Sequence, residues 1–228
     1  LMRGVRAAGG LPVLLPGMAL RGAPDSAAAR KELLAALGDE FVLFTSPAAV
    51  RFAARLAPLR TRAEVLAVGQ GTARALRRHS ISVSPVPSRQ DSEGLLQHAA
   101  LAAVRGRRVA LVGAPGGRGL LRRELLARGA DVREVHVYRR VPARLDRRHF
   151  DALLHLPQSA CVLLSSAEAL HNLQDQLPEA ALARWLATTA VVSSERLAAA
   201  ARAAGFARVV CASSALSADL LAGAQNLA

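Results

Sequence analysis

Short apolar runs alternate with longer amphipathic stretches from one end of the chain to the other. That alternation is the pattern of repeating β–α units around a mostly parallel sheet. It predicts strands near 12–15, 41–45, 64–68, 81–84, 107–113, 131–138, 160–164, 188–192 and 208–212. Helices are predicted near 1–8, 26–37, 47–57, 71–79, 92–104, 117–128, 146–155, 166–176, 179–187, 194–204 and 216–224. Local punctuation agrees with these bounds. Ser46-Pro47 offers a capping hydroxyl followed by proline in the first turn, and Asp91-Ser92 precedes another apolar helix. Gly129 and Gly205 stop helices just before strands.

The chain also repeats itself. Phe41-Val-Leu-Phe-Thr-Ser-Pro-Ala-Ala-Val50 aligns with Cys161-Val-Leu-Leu-Ser-Ser-Ala-Glu-Ala-Leu170. Val65–Leu76 resembles Ala190–Ala201, and Ser92-Glu-Gly-Leu-Leu96 matches Ser217-Ala-Asp-Leu-Leu221. Three matches in the same order point to two copies of one fold, the first over about 21–138 and the second from about 143 onward. A lone helix and strand cannot bury themselves, so the opening segment is expected to complete one of the two. The expectation is one discontinuous domain, 1–18 plus 143–228, and a second, 19–142, inserted within it. The chain then crosses twice, near 16–20 and 139–145.

Composition narrows the class. Hydrophobic residues make up 52% and aromatics 3%, so the core must be built from Leu, Val and Ala, as suits helices laid on a parallel sheet. No run of about 18 uninterrupted apolar residues exists, so no membrane partner is expected. Arg3 and Arg6 before Leu11–Leu15 imitate a signal peptide, but Gly9, Gly10, Pro12 and Pro16 break the apolar run. Cys161 and Cys211 read as buried small hydrophobes of a cytoplasmic protein.

The net charge of +13 changes the picture more. Lys31 is the one lysine among 30 basic residues, and the arginines are dispersed over many helices. Without a compact basic tract or interleaved aromatics, nucleic acid is the weaker partner; an acidic small molecule suits a diffuse positive field better.

Ligands of open parallel sheets sit beyond the C-terminal strand ends, where helix N-termini present free amides. Hydroxyls and glycines gather at five such junctions: Thr45-Ser46, Gly69-Gln-Gly-Thr72, Gly113–Gly119, Ser165-Ser166 and Ser193-Ser194. Each hydroxyl also reads as an ordinary helix cap, but together they suit a carboxylate-rich ligand. The glycine-rich 113–119 stretch fits neither dinucleotide nor Walker patterns, and the histidines have no metal-ligand spacing. Neither a metal nor an organic cofactor is expected. Tyr138, the only tyrosine, is placed at a strand end beside the second crossing.

Taken together, Phe44-Thr-Ser-Pro-Ala-Ala-Val50, Val68-Gly-Gln-Gly-Thr-Ala-Arg-Ala-Leu76, Asp91-Ser-Glu-Gly-Leu-Leu96, Gly116-Gly-Arg118 and Gly129–Arg139 carry a resemblance. In order and spacing they resemble the uroporphyrinogen-III synthases. The resemblance implies an α/β fold of two flavodoxin-like parallel-sheet domains joined by a two-stranded linker. It also implies a monomeric, cofactor-free lyase acting on hydroxymethylbilane, a linear tetrapyrrole with eight carboxylates. Water is lost, the last pyrrole ring (ring D) is inverted, and the macrocycle closes. By resemblance Tyr138 assists departure of the hydroxyl. Thr45, Ser46, Gly69, Gly71, Thr72, Ser92, Arg118, Ser165, Ser166, Ser193 and Ser194 are the expected substrate-binding positions. The chain departs from the family in lacking its usual opening strand, and in Val192-Ser-Ser-Glu-Arg196 where many members have a Gly-x-x-Thr turn. The competing readings are a non-catalytic bilobed protein holding an anionic ligand and a nucleic-acid-binding module.

Overall fold

The computed structural model describes residues 1–116 and 119–226. The chain divides into two compact units, one of Leu1–Ala19 with Val141 onward, the other of Leu20–Arg140. The segments that carry it from one unit to the other, β1 (Met18–Gly22) and β6 (Tyr138–Pro142), pair as a two-stranded sheet.

The 20–140 unit is built on four parallel strands, β2 (Phe41–Phe44), β3 (Glu64–Ala67), β4 (Arg108–Gly113) and β5 (Asp131–His136). Their order is β3-β2-β4-β5, so the direction of winding reverses between β3 and β4, on either side of β2. Side chains of alternating parity enter opposite cores. Val42, Phe44, Ala110 and Val112 pack with α2 (Ser26–Ala36), α3 (Pro47–Leu56) and α4 (Gln70–Arg77). Phe41, Leu43, Val109 and Leu111 pack instead with α5 (Ser92–Leu96) and α6 (Leu120–Ala127). Burial on both faces explains why β2 is apolar at every position and β4 is apolar after Arg108.

The other unit has three parallel strands, β7 (Cys161–Leu164), β8 (Thr189–Val192) and β9 (Arg208–Cys211), in that order. One face is covered by α7 (Arg147–Leu154), α8 (Ala167–Gln176), α9 (Glu179–Leu186) and α10 (Glu195–Ala204) around buried Trp185. The other meets α11 (Ser217–Gln225) through Val191, Ala212 and Leu220. The opening helix α1 (Met2–Ala7) lies against α11, where a Cβ on Gly4 would be 2.5 Å from Leu221 Cδ1. Leu15 packs into the α8–α10 core, and Asn172 Nδ2 donates to Gly17 O at 3.0 Å.

The α/β class and the parallel sheets agree with the sequence reading, and several details correct it. Residues 12–15 form no strand: Pro12 and Pro16 have no amide hydrogen to place in a ladder, and Val13 and Leu14 are exposed. The strand comes later, as β1. Residues 81–84 are not a strand either. Ser84 N donates once to Val65 O, but Pro85 and Pro87 prevent a ladder while Ile81 and Val83 still pack on the core. The predicted strand 131–138 is two, broken at Val137, so Tyr138 begins a strand instead of ending one. The predicted helix 92–104 is one short helix and a 3-10 turn over Ala99–Leu101, held by Arg128, which donates to Leu96 O and Leu101 O. The repeat holds for the first two strands of each copy only. The third strand joins beside β2 in one unit but beside β8 in the other. Both cysteines are exposed, not buried, because each sits at the outer end of its strand.

Candidate functional site

The C-terminal ends of β2, β4 and β5 open into a cleft of about 340 Å³ within the 20–140 unit. Its wall includes Thr45, Ser46, Ser92, Gly113, Gly116, Arg122, Glu134, His136, Tyr138 and Arg140. This is the position where a parallel sheet with a reversal in its winding leaves room for a ligand.

The chain reaches this geometry by local means. Ser46 has extended backbone and caps α3, its Oγ accepting from Ala49 N at 3.0 Å, with Pro47 starting the helix. Thr45 Oγ1 donates to Val112 O at 3.2 Å and lies where a Cβ on Gly113 would be, 2.5 Å away. Only glycine at 113 lets that side chain seat on β4. Asp91 caps α5, accepting from Gly94 N at 2.8 Å, which places Ser92 at the cleft. Gly119 precedes α6 with φ of 61° and supplies no side-chain cap, so among the described residues the first amides of α6 have no capping side chain at the cleft wall. Free amides and the helix dipole there favour an anion.

Tyr138 is held from two sides by α3. Its ring stacks on Phe52, centroids 5.4 Å apart and planes 12° off parallel, and its hydroxyl lies 3.2 Å from Ser46 Oγ. The residue is 7% exposed and lines the cleft, so packing fixes the phenol at its wall. The cationic side chains are Arg122, paired with Glu134 at 3.1 Å, and Arg140, which donates to Pro115 O at 3.2 Å; exposed His136 also lines the wall. The arrangement can bind carboxylates through hydroxyls, amides and guanidinium groups, and can present a phenolic proton.

The expected residues do not all converge here. Thr45, Ser46, Ser92 and Tyr138 do. Gly69, Gly71 and Thr72 start α4 but do not line this cleft. A Cβ on Gly69 would be 2.9 Å from Gln90 Oε1, and that oxygen already accepts from Gln70 N at 2.8 Å. Thr72 is buried at 3% exposure on α4. Arg118 lies outside the described residues. Ser165 and Ser166 follow β7, and Ser193 and Ser194 follow β8, in the other unit. Ser166 and Ser194 cap α8 and α10, accepting from Ala169 N and Leu197 N.

Sequence reasoning missed Gln90, Arg122, Glu134, His136 and Arg140. The alternation of β5 onto one face, Glu134 then His136, was the available signal for two of them. Although both side chains are exposed, partial desolvation and the nearby Glu195 carboxylate push the Cys211 thiol up, and partial desolvation does the same for Cys161. Both stay protonated and are poor nucleophiles at neutral pH. Among the described residues no group of three His, Cys, Asp or Glu side chains is placed to hold a metal ion.

Against this geometry, comparison with known proteins is consistent along the chain. The family model described as uroporphyrinogen-III synthase HemD matches residues 1–222. The uroporphyrinogen-III synthase of Escherichia coli K12 is 33% identical over 183 residues, which cover 76% of this chain and 74% of that protein. The Salmonella typhimurium enzyme of the same name is 33% identical over 144 residues, covering 61% and 58%. Uroporphyrinogen-III synthetase from Helicobacter pylori superposes with a TM-score of 0.66 at 16% identity, covering 94% of this chain and 92% of that one. A mutant uroporphyrinogen III synthase from the extremely thermophilic bacterium Thermus thermophilus gives 0.61 at 23% identity, covering 99% and 92%. At such identities these two structures speak for the shared fold, while the family match and the curated relatives speak for descent. The chain belongs to the uroporphyrinogen-III synthase family.

Proposed function

We infer that this chain is a cyclising lyase that converts hydroxymethylbilane to uroporphyrinogen III in haem biosynthesis, with loss of water and inversion of ring D. The observation that carries the reading is the family match over residues 1–222, with 33% identity to a uroporphyrinogen-III synthase. The cleft supplies a chemistry that fits. Unassisted closure of the bilane gives the uninverted ring, so the enzyme's task is to hold the reacting ends in the other arrangement. The Ser92 hydroxyl, the α6 amides and the arginines suit the substrate's carboxylates. Tyr138 donates the proton with which the terminal hydroxyl leaves as water. Attack on the substituted carbon of ring D gives a spiro intermediate, whose fragmentation and reclosure invert the ring.

The reading extends to Thr45, Gly69, Gly71, Ser165, Ser166, Ser193 and Ser194 as carboxylate contacts, with Thr72 buried on α4, and to a monomer working in the cytoplasm without metal or organic cofactor. Among the described residues no helix is long and apolar enough to cross a membrane. The deciding experiment is product analysis. Incubation with hydroxymethylbilane, oxidation and chromatographic separation of isomers should give the inverted isomer in excess. Only the uninverted isomer, formed at the blank rate, would refute the assignment.

A further inference from the structure

Two contacts on Tyr138 come from one helix. Phe52 of α3 stacks on its ring, and Ser46, the cap of the same helix, lies 3.2 Å from its hydroxyl. Ser46 Oγ already accepts the Ala49 amide hydrogen at 3.0 Å. A serine hydroxyl has one hydrogen to give and two lone pairs. With one lone pair committed to the helix, the Ser46–Tyr138 contact has two forms. Either the phenol donates to serine and has no proton left for the cleft, or serine donates to Tyr138 Oη and the phenolic hydrogen is free.

We propose that Ser46 is a positioning residue for the reaction. It donates its hydroxyl hydrogen to Tyr138 Oη, directs the phenolic hydrogen into the cleft, and links the developing phenolate to the positive end of α3. This rests on the reading of Tyr138 as proton donor and gives that residue the partner it requires. The phenolic proton passes to the substrate's hydroxyl oxygen, the C–O bond breaks with its electron pair leaving on water, and the pyrrole nitrogen's electrons form the new exocyclic double bond. The tyrosine is then a phenolate, and its neighbour must be a donor. Ser46 is one, polarised by an amide of the first turn of α3, where the helix carries partial positive charge. The phenol recovers its proton when ring D's unsubstituted carbon gives up a hydrogen on closure. Serine at this position therefore does more than cap, which aspartate or asparagine would do as well.

The test separates capping from proton positioning. Glycine at an N-cap preserves most of the helix stability that serine provides, so Ser46→Gly should stay folded with a nearly unchanged melting midpoint. Its single-turnover rate at saturating hydroxymethylbilane should fall roughly ten- to a hundredfold, the range for one hydrogen bond to a developing charge, with KM changed far less. Ser46→Thr, which restores a hydroxyl on the same carbon, should recover most of the rate. In a Tyr138→Phe background Ser46→Gly should add no further loss, since its target is gone. A folded Ser46→Gly with the parental rate, or one whose loss multiplies with that of Tyr138→Phe, overturns the proposal and leaves the tyrosine's role standing. A Tyr138→Phe enzyme of unchanged rate overturns both.

Discussion

Replacing Gly94 by alanine is expected to unsettle the cleft through the backbone. The added Cβ would lie 1.9 Å from Arg89 O and 2.8 Å from Arg89 C, distances no side-chain rotation can relieve. Arg89 is itself pinned, its Nε 2.5 Å from Asp91 Oδ2. Neighbouring Gln90 holds the first amide of α4 at 2.8 Å, and Asp91 holds the Gly94 amide at 2.8 Å. Relief requires α5 and the 89–91 segment to part. Overpacking of this kind costs about 1–3 kcal/mol, and loss of the Asp91 cap about 1 kcal/mol more. The sum is a destabilisation of about 2–4 kcal/mol, read as a shift in the urea midpoint at constant slope. Ser92 moves with the helix, so KM should rise as well. Gly71→Ala is the control: its Cβ would stand 3.4 Å from Pro47 Cγ, an ordinary contact, and alanine is the better helix former. A loss below about 0.5 kcal/mol in Gly94→Ala, the scatter of a neutral surface change, would refute the steric argument.

Three further outcomes are expected. Tyr138→Phe keeps the stack on Phe52 and removes only the hydroxyl, so folding persists while single-turnover rate falls by about a hundredfold or less, since the pyrrole nitrogen also expels the leaving group; an unchanged rate would make Tyr138 a packing residue. The Arg108 amide, outweighing burial and helped by the Arg107 and Arg108 guanidinium groups, holds the Glu40 carboxyl below its ordinary value of 4.5. Its contribution to stability is therefore present above that value and lost as pH falls through the lowered one; acid titration of Glu40→Gln should show a shallower limb there, and superimposable limbs would contradict it. Turnover should survive chelators and exhaustive dialysis, and activity lost to chelation but restored by an added metal would refute the cofactor-free reading.

What the sequence could reveal followed from how each signal is encoded. β2 is apolar throughout, as are β4 after Arg108 and β8 after Thr189, because both faces are covered, and no competing pattern obscures them. β1 and β6 form a two-stranded sheet whose residues, apart from buried Tyr138, are exposed or half-exposed, so their composition resembles loop. Residues 12–15 misled in the opposite direction, having apolar side chains on a backbone that prolines prevent from pairing. The site divides the same way. Ser46 and Ser92 were visible because a capping side chain, Ser46 itself or the neighbouring Asp91, stands at the helix start in the sequence itself. Gln90 was not, because it closes α4 from 20 residues away, and no local pattern announces such a contact. Thr72 looked like a donor at a strand-to-helix junction, yet helical phase turns it inward.

The sequence holds a single tryptophan and a single tyrosine, and the fold puts them in different units: Trp185 in the α8–α10 core, edge-on to Phe206 at 4.8 Å, and Tyr138 on Phe52 in the other. Each half of the molecule thus carries its own optical label without any substitution. Red-edge excitation reaches only the indole, whose emission should shift to longer wavelength when water enters that core. Difference absorbance in the phenol band follows the other half. Recording both signals through one denaturant titration gives two unfolding curves from one sample. Their coincidence or separation tells whether the two halves melt as one cooperative body or in turn.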